Sequence, residues 1–201
     1  MDVAQLQDWL DQGPKKELDL EGGFVHGNGR DTVDVTRPDL VIRNAYIRGV
    51  RMYVQEPGSG LTMENVVLRD YHNNSEGGLV GVVQVHGATN VRIRRCKMSN
   101  GVGRACCGLY ATDGAKVYVE GSECCNNGAS GVFASVPGTE VQLKDTKCNY
   151  NDRRGVTARQ AAKVTIENGE LCYNFGDAKE SSALGKIQVA GNVHFEHNIW
   201  Q

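Results

Sequence analysis

The chain has 201 residues, a formal net charge of −2 and a pI of about 6.2. That length suffices for one domain with a core of its own, and the balanced charge offers no basic field for nucleic acid or an anionic membrane. No apolar run approaches the roughly 20 residues of a membrane-spanning helix. The opening residues, MDVAQLQDWLDQGPKKELDL, lack the basic and apolar regions of a secretory signal, so a cytoplasmic location is expected.

Residues 2–11 place Val3, Leu6, Trp9 and Leu10 on one helical face, with Asp2 at the N-cap position and Gly13-Pro14 as a stop. The expectation is a short capping helix over residues 1–13 and a second unit over residues 14–201. Leu18 with Leu20, then Val33 with Val35, begin that unit. From there a short motif recurs: LVIRNAYI from Leu40, LTMENVVL from Leu61, VRIRRCKM from Val91 and VYVEGSEC from Val117. It continues as VQLKDTKC from Val141, VTIENGEL from Val164 and VHFEHNIW from Val193. Starts 21 to 30 residues apart suit one turn of a solenoid per repeat.

Alternation assigns the faces. Position one (Leu40, Leu61, Val91, Val117, Val141, Val164, Val193) and position three (Ile42, Met63, Ile93, Val119, Leu143, Ile166, Phe195) are wholly apolar and belong inside. Position four reads Arg43, Glu64, Arg94, Glu120, Lys144, Glu167, Glu196, alternating in sign until the last pair. Position seven adds Lys97, Glu123, Lys147 and Glu170. Stacked rungs about 4.8 Å apart turn these columns into self-neutralised, solvated charge ladders. Position eight carries Cys124 and Cys148 beside Ile47, Leu68, Met98, Leu171 and Trp200, so those two cysteines are packing residues. The count of seven cysteines is odd and includes no CxxC pair, which fits free thiols better than disulfides or zinc.

A second strand follows in each repeat: GVVQVH from Gly81, GLYA from Gly108, GVFA from Gly131, GVTA from Gly155 and, more weakly, GKIQVA from Gly185. Between the two strands Asn127, Asn151 and Asn174 share one offset and suggest an asparagine ladder in a turn. Taken together, V-x-I-x-x-(C/T)-x-(C/L)…N…G-V-x-A coils resemble the right-handed parallel β-helix, the pectate-lyase-like architecture. They are similar to the repeats of F-box and Shc-SH2-binding-type proteins and of carbohydrate-active enzymes. The resemblance covers roughly residues 18–201 and implies an all-β solenoid of about seven to eight coils.

For the enzymes of that architecture the resemblance implies NTD, DD, GHG and RIK motifs, none of which is present; RIRR at 92–95 lies in the charge ladder. The fragment DYHNNSEGG supplies Asp70, Tyr71, His72 and Glu76, which with His86 form the alternative catalytic set, chiefly Asp70, His72 and His86. NNS at 73–75 fits a glycosylation sequon that carries little weight without a secretory signal. In HFEH, His194 and His197 are expected on opposite strand faces, unable to share a metal. GNGR at 27–30 and GVGR at 101–104 lack the Lys-Ser/Thr and helix of a phosphate loop. No cofactor and no metal are expected.

The outward side of the second strand is the expected binding strip: Gln84, His86, Tyr110, Phe133, Thr157 and Arg159, continued by Lys186 and Gln188. Either it takes a ligand, or the loops at 70–80, 99–107 and 173–184 bury it as a satellite cluster. The expectation is thus a non-catalytic binding or scaffold module for a protein segment or polysaccharide. The alternatives are a carbohydrate-active lyase, hydrolase or epimerase, and a structural or viral surface component. VHFEHNIWQ carries no evident cap, so self-association or docking is expected at that end.

Overall fold

The computed structural model describes residues 1–73 and 78–199. Glu76, Ser75 of the sequon and Trp200 lie outside the described residues. Within them, strands paired in parallel wind into a β-solenoid of about seven turns, preceded by one helix.

The helix Val3–Gln12 closes one end of the core, with Leu6 and Leu10 fully buried against it. Asp2 Oδ1 accepts from Gln5 N at 2.8 Å, and Gln5 Oε1 accepts from Asp2 N at 2.9 Å, a reciprocal box that satisfies two end donors. At the other terminus Arg37 donates to the carbonyls of Trp9 and Gly13, at 3.2 and 3.0 Å. The Trp9 carbonyl also accepts the Gly13 N–H at 2.8 Å, so Arg37 reinforces this end of the helix.

Each turn has three short strands, not two. The first face holds positions one to four and the second positions six to nine, and the Gly-Val-x-Ala strands form the third. The extra bend falls at position five, where Asn44, Asn65, Arg95, Gly121, Asp145 and Asn168 all have φ between 49° and 58°. One left-handed residue resets the alternation, so positions six and eight point inward again and position seven points out. Ala45, Val66, Cys96, Ser122 and Thr146 therefore occupy a buried position-six column.

The register of six rungs agrees with the sequence pattern: Ile42, Met63, Ile93, Val119, Leu143 and Ile166 stack directly and are nearly inaccessible. The last rung differs. Ile187, not Val193, lies opposite Val164, and Val189, not Phe195, lies opposite Ile166. Ala190 takes position four beside Glu167, which removes Glu196 and its like-charge clash from the ladder. Phe195 instead faces Leu171 at position eight and is 43% exposed. GKIQVA thus belongs to the first face, and the third-face strand of that turn is Lys179–Ser182. The misreading arose because Val193-His194-Phe195-Glu196 mimics the first-face pattern; separately, an extra residue near Gly191 shifts the register by one after Ala190.

Between the second and third faces the asparagine ladder is continuous. Asn127, Asn151 and Asn174 each donate from Nδ2 to the Oδ1 of the next asparagine, at 3.1, 3.0 and 2.9 Å, ending on Asn198. The same Oδ1 atoms accept the backbone N–H of the preceding rung, and Nδ2 atoms also donate to the carbonyls of Met98, Cys124, Cys148 and Leu171. Asn198 was missed with the last register, although Phe195-x-x-Asn198 repeats the spacing of Cys124-x-x-Asn127.

Outside, Lys97–Glu123 and Lys147–Glu170 pair at 3.0 and 2.9 Å, and Arg43–Glu64 and Arg94–Glu120 at 3.4 and 3.6 Å. These pairs are substantially exposed, so each contributes at most about 1 kcal/mol. The buried ladder matters more. Asn151→Ala strands the Cys124 carbonyl and two Asn127 donors, and is expected to cost roughly 2–5 kcal/mol. Lys147→Ala should stay within about 1 kcal/mol. Urea unfolding of both variants checks the contrast.

Candidate functional site

On the first face, position two carries Arg92, Tyr118, Gln142, Thr165 and Gln188 on successive rungs. Long charged side chains rise on either side. Position zero supplies Lys116, Glu140, Lys163 and Lys186, while position four supplies Arg94, Glu120, Lys144 and Glu167. Position-zero and position-two side chains line a groove along the solenoid axis. It consists of two adjoining depressions of about 300 and 150 Å³, which share Glu140 and Gln142. The change along position two from Arg92 and Tyr118 to Gln142, Thr165 and Gln188 is the signal of this groove in the sequence.

The carboxylate lining this groove is Glu140. Lys116 Nζ lies 3.0 Å from its Oε1 and Lys163 Nζ 3.9 Å. The hydrogen bond from Lys116 and the charges of both lysines hold its pKa below the usual range. Glu140 therefore stays ionised near neutrality and is a poor proton donor.

The expected catalytic set does not converge. Asp70 accepts from Arg48, Arg69 and Asn100 at 2.7, 3.2 and 3.1 Å. Burial pushes its pKa up, but the bonds from Asn100, Arg69 and Arg48 outweigh that and leave it lowered. His72 is exposed, its backbone N–H donating to Gly29 O at 2.6 Å and its ring lying beside Gly29. His86 ends the strand Val80–His86 and pairs with Asp113 at 3.1 Å. Seven extended residues separate the two ends of that strand by about 20 Å, so His86 stands across the third face from the loop that carries His72.

The expected binding strip is interrupted. Phe133 and Thr157 are buried, at 7% and 1% exposure. Phe133 packs with Cys107, Ala129, Leu79 and Tyr110, and Thr157 Oγ1 lies 2.9 Å from Ser130 Oγ. The turn around residues 129–130 thus folds over the middle of the strip. Tyr110 is half-buried with its hydroxyl 3.3 Å from Ser135 Oγ, and Arg159 lies over Phe133 while pairing with Glu180 at 2.9 Å. Gln84 accepts from Arg51 at 3.3 Å, and His86 stays exposed. Lys186 and Gln188 are not on this strip; they lie in the first-face groove.

His194 and His197 also depart from expectation. His197 has φ 49°, and this turn brings both imidazoles to Glu196, at 3.0 and 2.9 Å, with the carboxylate between them. Alternation alone had placed them on opposite faces. Among the described residues no cluster suits a metal ion.

All seven cysteines are buried and free. Burial pushes Cys96 and Cys125 up to about 11 and Cys106 to about 12.

The stacked parallel coils define a β-solenoid repeat domain. Residues 80–200 match the family described as right handed beta helix region, and the chain belongs to that family. No curated protein matches the chain.

Two outcomes test this description. Native protein near neutral pH should leave its thiols unmodified by iodoacetamide, and unfolding should release all seven, as counted by mass spectrometry. Asp70 has a lowered folded pKa, so its stabilisation is present above the ordinary carboxylate value of about 4 and is lost as pH falls below it. Asp70→Asn should flatten that acid limb of the urea midpoint against pH.

Proposed function

We propose that this chain is a non-catalytic recognition module that holds an extended, hydroxyl-rich polysaccharide strand along the first-face groove. The observation that carries the reading is the neutral polar floor, Gln142, Thr165 and Gln188, beside the charged row of Glu140, Lys163 and Lys186, with Tyr118 in the adjoining depression. Amide and hydroxyl groups both donate and accept, which suits sugar hydroxyls. The ring of Tyr118 offers an apolar surface with a polar tip. Floor residues recur at the rung spacing of about 4.8 Å, so an elongated ligand meets an equivalent contact at each step.

Binding is favoured over turnover by the state of Glu140. Hydrolysis requires a carboxyl with a raised pKa near a second carboxylate, and Glu140 is held ionised by two lysines. Asp70 is likewise engaged by two arginines, away from the groove.

The test is a polysaccharide array run beside a peptide array, with activity assays on uronate polymers. Binding to a polysaccharide is expected, weakened about tenfold or more by Tyr118→Ala and by Gln142→Arg. Polymer cleavage, or capture of peptides alone, would overturn the reading.

A further inference from the structure

The two ends of the solenoid are finished differently. At one, the helix Val3–Gln12 covers the core. At the other, the strand Lys186–Glu196 pairs on one side with the strand Lys163–Cys172 and has no strand on its outer side among the described residues. Its inward residues are incompletely covered: Val189 and Phe195 are 41% and 43% exposed, and Ile187 and Val193 are half-buried. An open parallel edge with an apolar inner row is a template for another strand.

We infer that the occupant is the same strand of a second copy, giving a two-fold, tail-to-tail dimer. The argument is self-complementarity. KIQVAGNVHFE reads alike from both ends when folded about Gly191. In the antiparallel register centred there, Lys186 meets Glu196 of the second copy, Ile187 meets Phe195, Gln188 meets His194, and Val189 meets Val193. Every pair joins residues of the same side: four apolar residues inward, the charged and amide residues outward. A two-residue slip destroys this, since pairing Lys186 with His194 leaves Val189 opposite Gly191. Register is strongly specified where one side is buried.

Backbone shape agrees with that axis. Gly191 has φ 66° and forms the corner between the first and second faces. A two-fold axis through this corner exchanges the two arms of the bent strand, so each arm of one copy runs antiparallel to the other arm of its mate. Such an interface is isologous, the usual form for closed dimers.

Charge supplies the third argument. Along position zero, Lys116 pairs with Glu140 and Glu140 with Lys163, yet Lys186 follows Lys163 directly. Lys186 has no ion pair among the described residues, and the alternation calls for a carboxylate on the next rung. Glu196 of the second copy provides it, and its pKa is lowered by the hydrogen bond from His194, so it is anionic near neutrality.

Sedimentation of the full chain tests this against the chain mass of 21.9 kDa. Wild type should sediment at twice that mass. Lys186→Glu and Glu196→Lys each place like charges opposite one another twice, and each should weaken dimerisation by about tenfold or more. An equimolar mixture of the two variants should recover a heterodimer, because every pair is then complementary, and the double swap should recover the homodimer. Circular dichroism confirms that the variants are folded. A wild-type monomer, dimers insensitive to both reversals, or reversals not rescued by mixing would each overturn the inference.

Discussion

The whole architecture rests on a backbone constraint repeated at the corners of each rung, first of all a left-handed residue at position five. Asn44, Asn65, Arg95, Gly121, Asp145 and Asn168 share this conformation. Left-handed backbone costs a side chain about 1–2 kcal/mol, less for Asn, Asp and Gly. Stacking the corners recovers part of that: Asn65 Nδ2 donates to Asn44 Oδ1 at 3.1 Å, and Arg95 Nε donates to Asn65 Oδ1 at 3.0 Å. At the next corner Tyr150, Tyr173 and His197 are left-handed too, with rings stacked 5.0 and 4.9 Å apart. Such stacks contribute roughly 0.5–1.5 kcal/mol.

Once the corners are aligned, the interior follows as columns of like residues. Aliphatic columns fill most of the core, and a buried polar column is admitted only because each asparagine bonds the next rung. An unpaired amide there would bear its full desolvation cost. The same logic makes Cys124 and Cys148 small hydrophobes at position eight.

Flat stacked faces separate the ligand surfaces from the corners. On the first face, alternating charge rows neutralise each other and leave the shorter position-two residues as the floor of a groove. On the third face, the turn around residues 129–130 closes over Phe133 and Thr157. The proposed glycan groove and the proposed dimer edge meet at Lys186 and Gln188, which line one and belong to the other. Tyr118 and Gln142 lie on earlier rungs, so ligand binding and self-association respond to different side chains.

From the sequence alone, the coil, the inward columns at positions one and three, the position-seven charge ladder, the capping helix and three of the four ladder asparagines were legible. Each is a local pattern that repeats, and repetition lets one rung check another. The last rung was not legible, because Val193-His194-Phe195-Glu196 on the second face repeats the Val-x-hydrophobic-charge pattern that marks the first face, where Ile187 and Val189 actually stand. Nor could periodicity tell that His197 turns toward Glu196, since a single left-handed residue reverses the facing of all that follows. Burial of Phe133, separation of Asp70 from His86 and the groove beneath the charge rows were decided only in three dimensions. They depend on how loops of one rung lie over strands of another, a contact that no spacing within a single repeat encodes.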